Sequence, residues 1–368
     1  MNLLKNKKAF VIFILLFMHM FTITAYSKQD MDTAVILKAS NLIENQTDSK
    51  EASPSYQNVT LKITSGKFKG QTFTIKNNTT GNSAFDIIVK AGEKVFVYTD
   101  EKKDGHVDVF IIDYYRQDFI YYLTGLFALS LILVGRGKGV KSLITLALTM
   151  FGIIKILLPL ILKGYNPVPI TIALSIAIII FTMFIIAGIN SKSISAIIGT
   201  SSGVLLAGLI SYFIGSKIRL TGLSSDEASM LLYIPQQIHF DFKSLLFAGI
   251  ILGALGAVMD VGISIASAVD EINRANKSLS TLDLFSAGMN VGRDIMGTMA
   301  NTLILAYSGS AIPLLLLFMA YQTPLKEIIN LDVIATEIVR SLAASTGLVA
   351  AIPLTALASG ILSKKNKN

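Results

Sequence analysis

The sequence predicts a mainly α, polytopic membrane protein, with about seven transmembrane helices after an N-terminal signal or anchor segment and a small exported all-β domain. Three observations carry this expectation. Hydrophobic residues make up 52% of the 368-residue chain and charged residues 15%, at a mean hydropathy of +0.61, whereas soluble domains hold about 25% charged residues. From residue 118 onward, apolar runs of about 20 residues succeed one another, each long enough to cross the hydrocarbon core. Ahead of them, residues 28–117 contain short runs that alternate polar and apolar side chains, the signature of half-buried strands.

In chain order, Lys5, Lys7 and Lys8 precede the apolar run Ala9–Ala25 and the small-residue stretch Ala25–Ser27. These are the basic, apolar and cleavage regions of a signal peptide. The run is also close to the shortest that can span a bilayer, so residues 1–27 read as a signal peptide or as a retained anchor. Either way, the segment beginning at residue 28 is exported. Residues 28–57 are polar and read partly as a linker. Five strands are then expected in "NVTLKIT", "QTFTIK", "FDIIVK", "KVFVYT" and "HVDVFIID", separated by Gly-, Asn- and Asp-rich turns. That is the content of a small antiparallel barrel or sandwich.

The membrane domain, 118–368, has expected spans at 118–135, 141–162, 168–189, 193–215, 244–268, 297–320 and 343–362. Basic residues beside short loops set orientation. With the β domain outside, Arg136, Lys138, Lys141, Lys192, Arg274, Lys277, Arg293, Lys364, Lys365 and Lys367 fall on the cytoplasmic side. Lys163, Lys217, Arg219, Lys243, Lys326 and Arg340 fall outside. The bias places the β domain extracytoplasmically and the C-terminus in the cytoplasm. It also accounts for the +8 net charge without nucleic acid as a partner. The outer loop 216–243 contains "SSDEASMLLYI", which reads as an amphipathic interfacial helix stopped at Pro235, with a solvated His239 beyond it.

Catalytic signatures are missing from the sequence. There is no cysteine, hence no disulfide and no thiolate chemistry. Neither an HExxH zinc motif, nor a GxGD acid pair, nor a Walker A loop is present. No catalytic residue, cofactor or metal is therefore expected.

The polar residues inside the spans are more informative. At 100° per residue, Gly249, Gly253, Gly256, Ser264, Ser267 and Glu271 fall within about 40° of Asp260. On the next span, Asp294, Gly297, Asn301 and Ser308 fall within about 40° of Asn290, flanked by Arg293 and Thr298. Ser280 and Asp283 have capping-box spacing and suggest a short interfacial helix between the two spans. The expectation is that the two faces meet, with Asp260 directed towards Asn301 and with Glu271 and an Arg293–Asp294 ion pair at the cytoplasmic mouth. An intramembrane carboxylate costs roughly 2.5–3.5 kcal/mol on insertion scales. Two readings of Asp260 stay open: a hydrogen bond to Asn301 or Ser264 that fixes helix register, or a proton or cation site on a water-accessible path. Gly199, Gly203, Ala207, Ser211 and Gly215 form a small-residue ridge, and Gly249, Gly253, Gly256 and Gly297 are likewise expected to serve helix packing. Lys155, within a span, can snorkel to the surface.

The stretches "GALGAVMDVGISIASAVDEI" (253–272) and "GMNVGRDIMGTMANTLILAYSGS" (288–310), with "ILKGYNPVPITI" and "AIIGTSSGVLLAG", resemble the YibE/F family of bacterial multi-pass membrane proteins. The likeness runs from about residue 118 to 362 and includes an N-terminal segment with an exported β domain. It implies the bacterial cytoplasmic membrane and brings no catalytic residues with it. The order of features around Asp260 is also similar, at the level of fold, to the membrane halves of RND transporters and Sec accessory subunits. The expected function is transporter- or permease-like, centred on Asp260 with Ser264, Ser267, Thr298 and Asn301. The alternative is a non-catalytic scaffold or sensor whose β domain binds an envelope partner. Beyond the lipid bilayer, a second membrane subunit or a homo-oligomer is the expected partner.

Overall fold

The computed structural model describes residues 31–44, 55–82, 84–103, 105–234 and 239–365. The expected signal or anchor segment lies outside them. The described chain forms two compact units, one ending at Ser130 and the other starting at Leu131.

The first unit contains a six-stranded antiparallel sheet: β1 Asp32–Ala39, β2 Ile43–Glu44, β3 Ser55–Ile63, β4 Thr72–Asn78, β5 Lys94–Glu101 and β6 Val107–Tyr114. The strand order is β2-β3-β1-β5-β6, with β4 also paired to β3. Alternation sets the inner face, where Val59, Leu61 and Ile63 of β3 meet Val95 and Val97 of β5 and Ala34 and Ile36 of β1.

Two expectations are corrected here. The segment read partly as linker holds β1, the strand that joins β3 to β5. Its continuous run "AVIL" hides the period of two. Conversely, residues 85–90 form no ladder. Val89 is buried, and its backbone is satisfied by a side chain: the Val89 N–H donates to Gln57 Oε1 at 2.9 Å, and Gln57 Nε2 donates to the Val89 carbonyl at 3.1 Å. A buried glutamine takes the place of a neighbouring strand, consistent with the rule that buried backbone groups are paired.

The first unit also includes the start of α1, Gln117–Phe151, which continues into the second unit. With the π-helical turn Gly152–Leu157 and α2, Leu158–Leu162, it makes an apolar stretch of 46 residues. A straight helix of that length would run about 69 Å, twice the thickness of the hydrocarbon core. The stretch is broken at Arg136, whose φ of 48° and ψ of −125° are not helical. There the chain folds so tightly that a side chain on Gly139 would strike the Leu131 carbonyl. The π turn also has a local cause. Pro159 has no N–H to offer the Lys155 carbonyl, so the turn widens and the Leu158 N–H reaches back to Ile153.

The remaining helices are α3 Pro167–Ala187, α4 Ser191–Lys217, α5 Asp226–Met230, α6 Phe242–Ala275, α7 Thr281–Ser310, α8 Ile312–Ala320, α9 Leu325–Asn330 and α10 Asp332–Lys365. Their starts are written in the sequence. Asn166 caps α3 through the Val168 N–H at 3.0 Å, Asn190 caps α4 through the Ser193 N–H at 3.0 Å, and Asp241 caps α6 through the Ser244 N–H at 3.1 Å. Between α4 and α6, the Ser225 cap opens α5 and a single 3₁₀ turn. Pro235 lies outside the described residues, and His239 is exposed.

Two boundaries differ from expectation. The Ser280–Asp283 capping box forms reciprocally, with bonds of 3.1 and 2.8 Å. It opens no short interfacial helix: α7 runs without a break through the expected span boundary at 297. It stops at Ala311, ahead of Pro313, and α8 leaves at 60°. α10 begins eleven residues before the expected 343, where the Thr221 hydroxyl donates to Asp332 Oδ2 at 2.6 Å. Among the described residues, five helical stretches are long and apolar enough to cross a membrane, and the bent pair α7–α8 would be a sixth.

The helical core is built around α10, which packs against α4, α6 and α7. α4 and α10 meet backbone to backbone. A Cβ on Gly203 would lie 2.7 Å from the Gly347 carbonyl oxygen, and one on Gly347 would lie 2.5 Å from the Gly203 carbonyl oxygen. Gly199 likewise lies against the Thr355 side chain. Overpacking a close contact costs about 1–3 kcal/mol, more where backbone must move. Gly203→Leu or Gly347→Leu should therefore lower the thermal unfolding midpoint of the purified protein sharply, by about 3 kcal/mol or more in stability. Gly249→Ala, with open space beside it, should leave the midpoint unchanged or slightly raised. Equal effects of the three substitutions would refute this account.

Candidate functional site

Among the described residues, no hydrogen bond or ion pair joins the Asp260 face of α6 to the Asn290–Asn301 face of α7, and Asp260 and Asn301 are both exposed. α6 buries Ile251, Ala254, Leu255, Val258, Val261, Ile265 and Val269 in the helical core. Asp260 lies on the opposite side in an exposed stripe with Gly249, Gly253, Gly256, Ser264 and Glu271, and Ser267 at its partly buried margin. α7 turns a different edge to its neighbours. A Cβ on Gly288 would sit 2.9 Å from both Ala356 of α10 and Val269 of α6. Gly292 fits against Ile352 and Ile265 in the same way.

At 100° per residue, Asn290, Asp294, Gly297 and Asn301 lie roughly 140–200° away from Gly292. All four are exposed, as are Arg293 and Thr298. The expected Asp260–Asn301 approach is therefore corrected, because two glycines outside the expected packing set, Gly288 and Gly292, fix the rotation of α7. The Arg293–Asp294 ion pair is also absent among the described residues. Adjacent residues point about 100° apart on a helix, and Arg293 instead donates to Asn290 Oδ1 at 3.0 Å. Thr298 and Thr302 satisfy their hydroxyls on their own helix, at the Ile295 and Thr298 carbonyls, both at 2.9 Å.

The small residues divide in the same way. Gly199 and Gly203 are filled by α10, and Gly253 is covered by the Tyr307 hydroxyl. Among the described residues, Gly249, Gly256 and Gly297 have open space over them, so the described helices do not give them the expected packing role. No hydrogen bond or ion pair reaches Asp260 among the described residues. The result, among the described residues, is a carboxylate without a partner in mid-helix, on a stripe of small side chains.

Next to that stripe is a cluster that sequence reasoning does not find. The basic-residue pattern places Arg340 in an outer loop, but in α10 it lies two turns into the helix. Its Nη1 pairs with Glu337 Oε1 at 2.8 Å, and its guanidinium stands 5.8 Å from the centre of the Tyr307 ring. Among the described residues, the second carboxylate oxygen of Glu337 is buried without a partner. Tyr307 of α7 carries the cluster across to Gly253 of α6. Gly253 and Asp260 are seven residues apart, about 10 Å along the axis on one face. The signal is present in the sequence as Glu337 and Arg340 at i, i+3 spacing, next to the helix-starting Asp332. Starting the span at 343 conceals it.

Among the described residues, no three His, Cys, Asp or Glu side chains stand close enough to hold a metal ion. The site can offer a carboxylate, a phenol, a guanidinium–carboxylate pair and several hydroxyls, which suits binding and passing of a proton or small cation.

Breaking a buried ion pair on one side costs about 3–5 kcal/mol, with the lower end applying to a pair that keeps some exposure. Arg340→Met should accordingly destabilise the protein by about 3 kcal/mol. Adding Glu337→Gln should recover most of that loss, as read from unfolding midpoints in a double-mutant cycle. Independent, additive effects would show that the two side chains do not act as a pair.

Comparison with known proteins gives two matches. A family model described as YibE/F-like protein matches residues 123–365, and one described as YibE/F family N-terminal domain matches residues 26–114. No curated protein and no solved structure matches the chain.

Proposed function

This chain belongs to the YibE/F family, and we propose that it is a permease-like protein of the bacterial cytoplasmic membrane whose transport step is coupled to protonation or cation binding at Asp260. The supporting observation is that an intramembrane carboxylate faces outward from the core with no partner in its own chain among the described residues. Acids at membrane depth are expensive and mark ion or proton pathways by default. The Glu337–Arg340–Tyr307 cluster of α10 and α7 reaches the same α6 face at Gly253, two turns from Asp260, and extends the polar row there. Ser264 and Ser267 extend it in the other direction, towards Glu271. Thr298 and Asn301 supply a second polar surface on α7.

In this reading, the break at Arg136 separates two crossings and the bent pair α7–α8 counts as one, so the membrane domain crosses seven times. The basic-residue bias supports a cytoplasmic C-terminus and an extracytoplasmic β domain. The second reading, a sensor whose β domain holds an envelope partner, draws support from β6, an edge strand of the sheet that exposes Phe110 and Ile112.

Proteoliposomes holding wild type, Asp260→Asn and Asp260→Glu at equal density separate the two readings. Proton flux is read with an enclosed pH-sensitive dye and sodium flux with a radiotracer. The permease reading expects flux to fall at least about tenfold in Asp260→Asn and to persist partly in Asp260→Glu. Wild-type flux in Asp260→Asn would rule out coupling at this residue. Loss of function in cells only on deletion of 28–117 would favour the sensor.

A further inference from the structure

A cleft of about 820 Å³ lies where the β domain passes into α1. Only Tyr115 and Arg116 separate the end of β6 from Gln117, the first residue of α1. Beyond Tyr122 the exposed residues of α1 include the aliphatic Leu123, Leu126 and Leu129. Charged and aromatic residues that give way abruptly to aliphatic ones mark a membrane–water interface, so the cleft opens at headgroup depth.

The cleft is lined by two cations, Lys94 and Arg116, and two acids, Glu93 and Asp118. Its formal charge is therefore zero. Lys94 Nζ pairs with Asp118 at 2.7 Å and stands 5.4 Å from the Tyr115 ring centre. Arg116 pairs with Asp113 at 2.7 Å and stands 5.4 Å from the Tyr114 ring centre. Both cations remain more than half exposed, at 54% and 59%, so each keeps N–H groups free for a further acceptor. Asp118 also holds the Lys94 amine above its ordinary pKa and keeps it charged. Phe119 and Tyr122 present exposed rings on the helix side of the cleft.

Each feature selects part of a ligand. Lysine and arginine N–H groups suit a phosphate. Carboxylates beside aromatic faces suit an ammonium. The aliphatic face of α1 that begins at Ile120 and Leu123 suits acyl chains. An anionic headgroup without an amine could place its phosphate on Lys94 and Arg116 but would bring no cation to the carboxylates of Glu93 and Asp118.

We propose that this cleft binds a zwitterionic phospholipid, with its phosphate on Lys94 and Arg116, its ammonium among Asp118, Tyr115 and Tyr122, and its chains along α1. The bound lipid ties the β domain to the bilayer surface. This does not depend on the permease reading, because no residue of the Asp260 stripe takes part.

The test uses the full-length purified protein, stripped of lipid in detergent. It is titrated with phosphatidylethanolamine or phosphatidylglycerol of the same chain length, and bound lipid is read by native mass spectrometry. Phosphatidylethanolamine should be retained in preference. Its binding should weaken about tenfold in the double variant Lys94→Ala/Arg116→Ala and in Tyr122→Ala. Lys67→Ala, which removes a different exposed ion pair of the sheet, should bind as wild type. Tyr122→Phe keeps the ring and should also keep the lipid, which separates loss of the site from loss of the fold. Equal retention of both lipids, or unchanged binding in the double variant and Tyr122→Ala, overturns the proposal. So does binding of water-soluble glycerophosphoethanolamine as tightly as the lipid.

Discussion

The helical domain depends on one close contact, the crossing of α4 and α10 at Gly203 and Gly347. Lipid gives helices no hydrophobic reason to associate, so packing must come from surfaces that allow backbones to approach. Here a single Cβ on either glycine would enter the other helix's backbone. That approach places α10 in the middle of the bundle, where Ala344, Leu348, Ala351 and Ile352 are buried together. It also explains why a helix with Thr336, Ser341, Ser345, Thr355 and Ser359 on buried positions can sit there. Small side chains are what such a crossing admits, whether or not they are polar.

The consequences pass outward from α10. α7 docks into the angle between α6 and α10 through Gly288 and Gly292, and that docking fixes its rotation. With those two glycines facing inward, helical geometry sends Asn290, Asp294 and Asn301 outward. On α6, the bulky aliphatic residues occupy the core and leave Asp260 and its glycines facing away. Among the described residues, α6 and α7 thus each carry a polar surface that faces away from the helical core, and Glu337, Arg340 and Tyr307 form a polar cluster partly enclosed between helices. In a bilayer the peripheral surfaces call for water, a substrate or another polypeptide beside them, because lipid tails offer no hydrogen bonds.

Much of the architecture is legible in local sequence. The apolar runs, the Asn166, Asn190 and Ser280 caps and the alternation in β3 through β6 all act over a few residues, so a short window reports them. The departures share a cause in long-range packing. β1 lacks visible alternation, yet it is the strand that joins β3 to β5. Residues 85–90 have the right alternation, yet a glutamine thirty-two residues earlier satisfies Val89. Arg340 has the look of a loop residue, but Glu337 on its own helix and Tyr307 on another surround it.

By itself, the sequence determined the class, the two-part organisation, the starts of α3, α4 and α6 to within about two residues and the presence of a carboxylate within an apolar helix, because composition, caps and periodicity are local properties. Only the tertiary structure decided which way the polar faces point. A helical wheel shows that Asp260 and Asn301 each lie on a coherent face, but it cannot show the rotation of one helix against another. That rotation depends on which small residues find backbone to pack against. Here Gly288 and Gly292 found α6 and α10, while Gly249, Gly256 and Gly297 stayed open among the described residues, and both polar faces were turned away from the helical core.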